Sequence, residues 1–347
     1  MDMQPDSVKI GLLFDFPQPN DSFERSLRVG LDEVGGAGDR EIELISEAVR
    51  GLPFGSEHAV REGYRALVEA GVLAVVGPSI SDNALIVRDL ASAAEIPTIN
   101  WSGGERTRGP WMFHYQVGSL EEEPLLLATR MGERGLHRAF VLYDRSPVGG
   151  GYLECFEAAC ARLGHELVGT AALSPATEDA TEVVSRALAS GPDVVVYLGL
   201  GAAAHAVATA LHQAGTDLPV LANSALMFGY MRRDWRDGWA GWEYVDTIAD
   251  DNPQREALRA RDPRAASGPT TCAAYDIGRL LATALARVDH LTRAGFADGL
   301  RRVKRLPAAT GERGTLMGFG ILDHAALKGE YLVLREWRGG RTIAVDR

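Results

Sequence analysis

Gly77-Pro78-Ser79-Ile80-Ser81 closes the apolar run 72–76 and stands just ahead of a helical pattern over 83–94. The next strand follows at once as Ile96-Pro97-Thr98-Ile99-Asn100 and runs out into Trp101-Ser102-Gly103. A buried strand that turns through small hydroxyl residues into a helix, and then gives another strand, reads as a β-α-β unit. Both polar turns then fall on one edge of a parallel sheet, where free backbone N–H groups and hydroxyls can hold a carboxylate or an amide oxygen. Neither turn sets a nucleophile beside a base, which points to holding a small molecule rather than transforming it.

The pattern returns further along. Residues 194–198 form a second apolar strand, followed by Gly199-Leu200-Gly201, a helix over 202–214 and a strand beginning Pro219-Val220-Leu221. A shift of 122 positions lays Gly77 on Gly199, Ala84 on Ala206, Pro97 on Pro219 and Ser102 on Ser224. Any two β-α-β units share turn glycines and apolar strands, so duplication is left open. Either way the chain reads as two similar α/β lobes in tandem.

Length and composition agree with this. The 347 residues suit about two domains, and 46% apolar residues suffice for a core in each. A net charge of −11 argues against nucleic acid or an anionic membrane as the main partner. Lysine occurs only at Lys9, Lys304 and Lys328. Cys155, Cys160 and Cys272 are too few and too scattered for a disulfide framework. No CxxC or HExxH spacing appears, and His205 and His212, seven apart on one helix face, lack a third ligand, so neither metal nor cofactor is expected. Residues 1–7 are short and polar, with no export signal ahead of the first strand, and no apolar run approaches the length of a membrane span. As written the chain is cytoplasmic, or extracytoplasmic if a signal has been removed.

Strand and helix patterns alternate for most of the length. Strands are expected at 8–14, 41–48, 111–117, 138–143 and 166–171, and helices at 23–34, 56–70 with Ser56 as its cap, 121–134, 152–163 and 178–190. Residues 147–151 read as a Gly-rich turn. After a strand at 242–248 the pattern changes to helices at 253–261, 270–288 and 297–304, then antiparallel strands at 316–319, 331–337 and 342–345. The late helices suggest that the chain returns to its first lobe.

At this point the chain resembles the type I periplasmic-binding-protein fold, in the branched-chain amino-acid and amide-binding group of solute receptors. The residues that carry the resemblance are Val75-Val76-Gly77-Pro78 with Ser79 and Ser81, and Ile96-Pro97-Thr98-Ile99 with Trp101-Ser102-Gly103. Val141-Leu142-Tyr143-Asp144 with Val148-Gly149, and Ala273-Ala274-Tyr275-Asp276, support it. The resemblance implies two doubly wound parallel-sheet lobes joined by a three-crossover hinge that close on ligand. Crossovers are placed near 117–121, 247–251 and 322–327, giving one lobe of 1–118 with 250–322 and another of 119–249 with 323–347. It further implies ligand contacts at Ser79, Ile80, Ser81, Trp101, Ser102 and Gly103, with the N–H groups of Ser81 and Ser102 as donors. Phe16 adds a wall, and the other lobe contributes Val148, Gly201 and Ser224.

Amino-acid binders of that family carry an acid after the second lobe's later strand, to hold the ammonium. The matching Ala222-Asn223-Ser224-Ala225 has none, and an unpaired ammonium in a dry site is costly. Trp101, Phe16, Met227 and Phe228 offer apolar walls. The expected ligand therefore has a carboxylate or amide head and an apolar or aromatic body.

Each of these residues also has a plain structural role open to it. Ser79 and Ser81 can cap the following helix, and Trp101, Met227 and Phe228 can be core. Gly149-Gly150-Gly151 could cradle a phosphate but lacks the Walker lysine. Asp144 and Asp323-His324 could suggest acid–base work, yet no Ser-x-Gly elbow or cysteine partner accompanies them. The expected role is a solute-binding protein, not an enzyme, serving an ABC permease or, as a cytoplasmic amide-type sensor, a regulator. Sensors of this fold often pair, so a homodimer is possible under that resemblance. A branched-chain amino-acid ligand, a nucleotide-using enzyme and a sugar-binding transcriptional regulator are the competing readings. The last would need a basic helix-turn-helix ahead of residue 8.

Overall fold

The computed structural model describes residues 7–16, 21–34, 41–224, 226, 237–263 and 268–345. The chain divides into two compact units, one of residues 1–117 and 248–331, the other of residues 118–247 and 332–347. The backbone therefore passes between them three times, after residues 117, 247 and 331.

The first unit begins with β1 (Ser7–Phe14), α1 (Asp21–Val34), β2 (Glu41–Ala48), α2 (Glu57–Glu69), β3 (Ala74–Val76), α3 (Ser81–Ala94), β4 (Thr98–Asn100) and β5 (Met112–His114). Its five strands lie in the order β2-β1-β3-β4-β5, all parallel. Ser56 caps α2 by accepting from the Ala59 N–H at 3.2 Å, as its sequence position predicts. Val60, Tyr64 and Leu67 of α2 and Val87 and Ala91 of α3 bury Leu13 and Val75 on one sheet face.

The second unit follows with α4 (Glu123–Glu133), β6 (Arg138–Asp144), α5 (Pro147–Leu163), β7 (Glu166–Leu173), α6 (Thr181–Ala189), β8 (Val194–Leu198), α7 (Ala204–Gln213), β9 (Val220–Ala222) and β10 (Glu243–Asp246). The wholly apolar β8 has both faces covered. Val194, Val196 and Leu198 pack with residues of α4 and α5, whereas Val195 and Tyr197 pack with those of α6 and α7. That is the two-residue period of a strand buried on both sides.

The chain then returns to the first unit as α8 (Pro253–Arg261), α9 (Pro269–Leu285), α10 (Arg293–Arg302), β11 (Leu306–Pro307), β12 (Leu316–Met317) and β13 (Leu327–Lys328). α9 crosses α1 closely: a Cβ on Gly278 would lie 2.2 Å from the Leu27 carbonyl oxygen, and one on Gly30 2.1 Å from that of Tyr275. β14 (Val333–Arg338) and β15 (Arg341–Ala344) end the second unit. Its sheet runs β15-β14-β10-β9-β8-β6-β7, with β14 and β15 antiparallel. The core orders match, β2-β1-β3-β4-β5 against β7-β6-β8-β9-β10.

Two expectations need correction. Residues 323–331 lie with the first unit, because β13 pairs with β12 and the Leu327 N–H donates to Gln116 Oε1 at 2.9 Å. The Gly-rich stretch 147–151 is helix, not turn. Ser146 caps α5 by accepting from the Gly149 N–H at 3.0 Å, and Pro147 opens the helix with its φ preset.

Candidate functional site

The turn after β3 is shaped by a carboxylate from the neighbouring strand. Asp15 follows β1, which pairs with β3, and is buried at 3% exposure. Its Oδ1 accepts from the Ser79 N–H at 3.0 Å and the Ser79 hydroxyl at 2.5 Å. Its Oδ2 accepts from the Ile80 N–H at 2.9 Å and Asn83 Nδ2 at 2.8 Å. Asn83 also exchanges hydrogen bonds with the Leu52 backbone. The donors that the sequence offers to a ligand at Ser79 and Ile80 are thus taken up within the fold, and neither serine caps the helix, since Ile80 is the N-cap of α3.

The donors left over lie one step further on. Ser81, the first residue of α3, accepts at Oγ from the Gly104 N–H at 3.0 Å. That bond joins the turn after β3 to the turn after β4. Among the described residues no acceptor pairs with the N–H of Ser81 or of Ser102. The Ser102 hydroxyl donates to Asn100 Oδ1 at 2.7 Å, and its carbonyl accepts from the Val117 N–H at 3.3 Å and bonds His114 Nε2 at 2.7 Å. Burial keeps that imidazole neutral, lowering His114 to about 3. Gly103, in the turn after β4, is half-buried. Beside Ser81, Asp82 is 7% exposed, and burial raises its carboxyl to about 6.

The expected aromatic walls fare differently. Trp101 is 5% exposed, because its ring stacks on Phe23 of α1 at 4.8 Å between centroids. Phe16 is half-buried just past β1. Met227 and Phe228 lie outside the described residues.

The second unit repeats the carboxylate arrangement. Asp144 ends β6, the topological counterpart of β1. It accepts from the Tyr197 hydroxyl at 2.5 Å and the Leu200 N–H at 2.6 Å. Burial raises its carboxyl despite these donors. Asn223 exchanges two hydrogen bonds with Gly199, at 3.2 and 2.9 Å, tying the turn after β8 to the turn after β9. Val148, the second residue of α5, is buried in the core.

Ser224 holds the largest surprise. Its N–H donates to Glu123 Oε2 at 2.6 Å and its hydroxyl to Oε1 at 2.8 Å. The Ser119 N–H at 2.6 Å and the Tyr152 hydroxyl at 2.9 Å complete the shell of this fully buried carboxyl, which burial raises to about 7. The segment 222–225 has no acid of its own, but an acid from α4 reaches it. Glu123 stands in the first turn of α4, where a carboxylate is ordinary, and nothing local signals a partner 101 positions away. The same holds for Asp15, whose partner Ser79 lies 64 positions away. Among the described residues no group of three or more His, Cys, Asp or Glu is placed to hold a metal ion.

Two parallel-sheet units, crossed three times by the chain and each with polar turns at its C-terminal sheet edge, define a bilobal α/β binding protein. A family model described as periplasmic binding protein matches residues 7–330, and the chain belongs to that family. A leucine-binding protein from Thermotoga maritima is similar at 16% identity and a TM-score of 0.82, over 98% of each chain. An ABC transporter substrate-binding protein from Desulfitobacterium hafniense, solved in complex with Leu, is similar at 19% identity and a TM-score of 0.80, over 98% of this chain and 100% of that one. A solute binding protein of an ABC transporter from R. palustris, in complex with 4-hydroxybenzoate, gives 15% identity and 0.81, over 98% and 96%. At these identities the likeness is one of fold. No curated protein matches by sequence.

Proposed function

We propose that this member of the family is a non-enzymatic solute receptor that closes on a small organic ligand with a carboxylate or amide head and an apolar or aromatic body. The observation that carries the proposal is the pair of unmatched N–H groups at Ser81 and Ser102, set on adjacent turns at the C-terminal edge of a parallel sheet. With Gly103 they would hold the head. Ser79 and Ile80 support that frame through Asp15, and Trp101 and Phe16 back it. In the second unit Val148, Gly201 and Ser224 are the proposed contacts. Among the described residues no helix is long and apolar enough to cross a membrane. Family membership supports an extracytoplasmic place and an ABC permease as partner, with a cytoplasmic regulator or a homodimer as the sensing alternative.

A branched-chain amino acid is the second ligand supported by a specific observation, the Glu123 carboxyl at Ser224. It is weakened by that carboxyl's four existing donors.

A thermal-shift series tests the proposal. Aliphatic and aromatic acids, their amides, branched amino acids and nucleotides are each added in excess. A ligand at a hundred times its Kd adds about 2.7 kcal/mol, a rise of several degrees. A rise with apolar acids or amides supports the proposal, a rise with leucine or valine alone supports the second ligand, and a rise with nucleotides alone contradicts both.

A further inference from the structure

Lys9 and Arg293 both line a cavity of about 460 Å³ in the first unit, together with Ser7, Gly71, Val72 and Leu291. Ser7 opens β1, and Gly71 follows α2 just ahead of β3, so the cavity sits at the N-terminal edge of the parallel sheet. From Lys9 along β1 to Asp15 the chain covers about 20 Å at roughly 3.3 Å per residue, so the cavity is separate from the turns of Ser81 and Ser102. Its lining carries two cations and no acid, in a chain whose net charge is −11. Lys9 Nζ donates to the Ala70 carbonyl at 3.4 Å, and Arg293 donates from Nε to the Val72 carbonyl at 3.2 Å and from Nη1 to that of Ala94 at 3.3 Å. Those bonds satisfy carbonyls at the ends of α2 and α3, where a cation is ordinary. They leave Nη2 of Arg293 and the rest of the Lys9 ammonium without an acceptor among the described residues, and neither cation forms an ion pair there. Glu43, beside Lys9 in register on β2, is exposed and is not bonded to it.

We propose that this cavity is a second binding site, for a phosphate group carried as free phosphate or as a small phosphate monoester. It is independent of the solute-binding role proposed above. A dianion neutralises both cations, which a monocarboxylate cannot, and its oxygens accept from the planar guanidinium and from the ammonium together. With no acid in the lining, no like charge refuses it. The volume lies in the range of small-molecule pockets and exceeds what a bare anion needs, and Val72 and Leu291 offer apolar contact to the body of an ester.

Titration calorimetry of the full chain in phosphate-free buffer at about pH 7.5, where phosphate is largely dianionic, tests this with inorganic phosphate and with phenyl phosphate. The wild type is expected to bind at a single site. Gly71, at φ +75° with open space around it, accepts Asn or Asp, which tolerate left-handed backbone. Gly71→Asp sets a carboxylate in the lining and is expected to weaken binding at least about tenfold, whereas Gly71→Asn, equal in size, stays within about threefold of wild type. Lys9→Gln and Arg293→Gln should each weaken it about tenfold. Lys328→Gln, which removes a cation paired with Asp323 outside the cavity, should not, and neither should Ser81→Trp. Phenyl phosphate bound at least as tightly as phosphate assigns the site to an ester, and phosphate bound more tightly assigns it to the free anion; either supports the inference. No heat from either probe with the wild type, equal binding by Gly71→Asp and Gly71→Asn, or loss of binding in Ser81→Trp overturns it, and none of these contradicts the solute-binding role.

Discussion

Asp15 and Ser79, 64 residues apart, share two hydrogen bonds, from the Ser79 N–H at 3.0 Å and from its hydroxyl at 2.5 Å. A turn that looks open to a ligand carboxylate is thereby closed by one of the protein's own. Asp144 does the same for the turn after β8, from the equivalent strand of the other unit. In each unit an aspartate at or just past the end of one strand accepts from the neighbouring turn.

Asp15→Asn should therefore destabilise the first unit rather than merely weaken binding. The new NH2 faces donors, and at least one buried N–H or hydroxyl loses its acceptor, at a cost of about 2–4 kcal/mol. Urea unfolding followed by circular dichroism measures it. A change under about 0.5 kcal/mol would show that the carboxylate does not organise the turn.

Gly77 should tolerate no side chain. It has φ +114°, and a Cβ there would lie 2.1 Å from the Leu13 carbonyl oxygen. Gly77→Ala is expected to cost about 3 kcal/mol or more. Gly71, at φ +75° with open space around it, is the control, and Gly71→Ala should cost only about 1 kcal/mol. Equal unfolding midpoints for the two variants would contradict the close approach of β1 to this turn.

Two buried groups should shape stability against pH with opposite signs. His114 has its pKa lowered from 6.5 to about 3 by burial, so between those values only the unfolded chain takes the proton. Its contribution is complete above pH 6.5 and is lost as pH falls, by about 2 kcal/mol at pH 5. The advantage of wild type over His114→Gln should shrink accordingly from pH 7.5 to pH 5. Glu123 has its pKa raised from 4.5 to about 7, so the folded chain takes the proton first. Its ionisation costs stability above pH 7, a cost relieved as pH falls through 7 towards 4.5. The advantage of wild type over Glu123→Gln should grow over that range, by at most about 3 kcal/mol. Denaturant midpoints at pH 5, 6 and 7.5 decide both, and parallel curves for wild type and either variant would contradict that group's assignment.

The alternation of strands and helices was legible because each element carries a local mark. Ser56 caps α2, β8 is a run of apolar residues between turn glycines, and Gly77 and Gly199 stand where the backbone needs positive φ. The helical start of α5 was missed because Gly149, Gly150 and Gly151 read as a turn. Gly149 is required there by contact, since a Cβ would lie 2.0 Å from the Asp144 carbonyl oxygen, a tertiary fact invisible in composition. Ser81 and Ser102 were picked out by their place after strands. Asp15, Asp82 and Glu123 were not, because an acid at a strand end or in a first helical turn is ordinary on a surface. Their burial comes from residues distant in sequence, and so does their meaning.

The most direct measurement is equilibrium dialysis of the full chain against a pool of apolar carboxamides, the matching carboxylates and branched amino acids, with both compartments read by mass spectrometry. A solute receptor that uses the Ser81 turn should enrich at least one member on the protein side, near one per chain at saturation, and Ser81→Trp should abolish the enrichment. Equal concentrations of every member on both sides of the membrane would contradict the account.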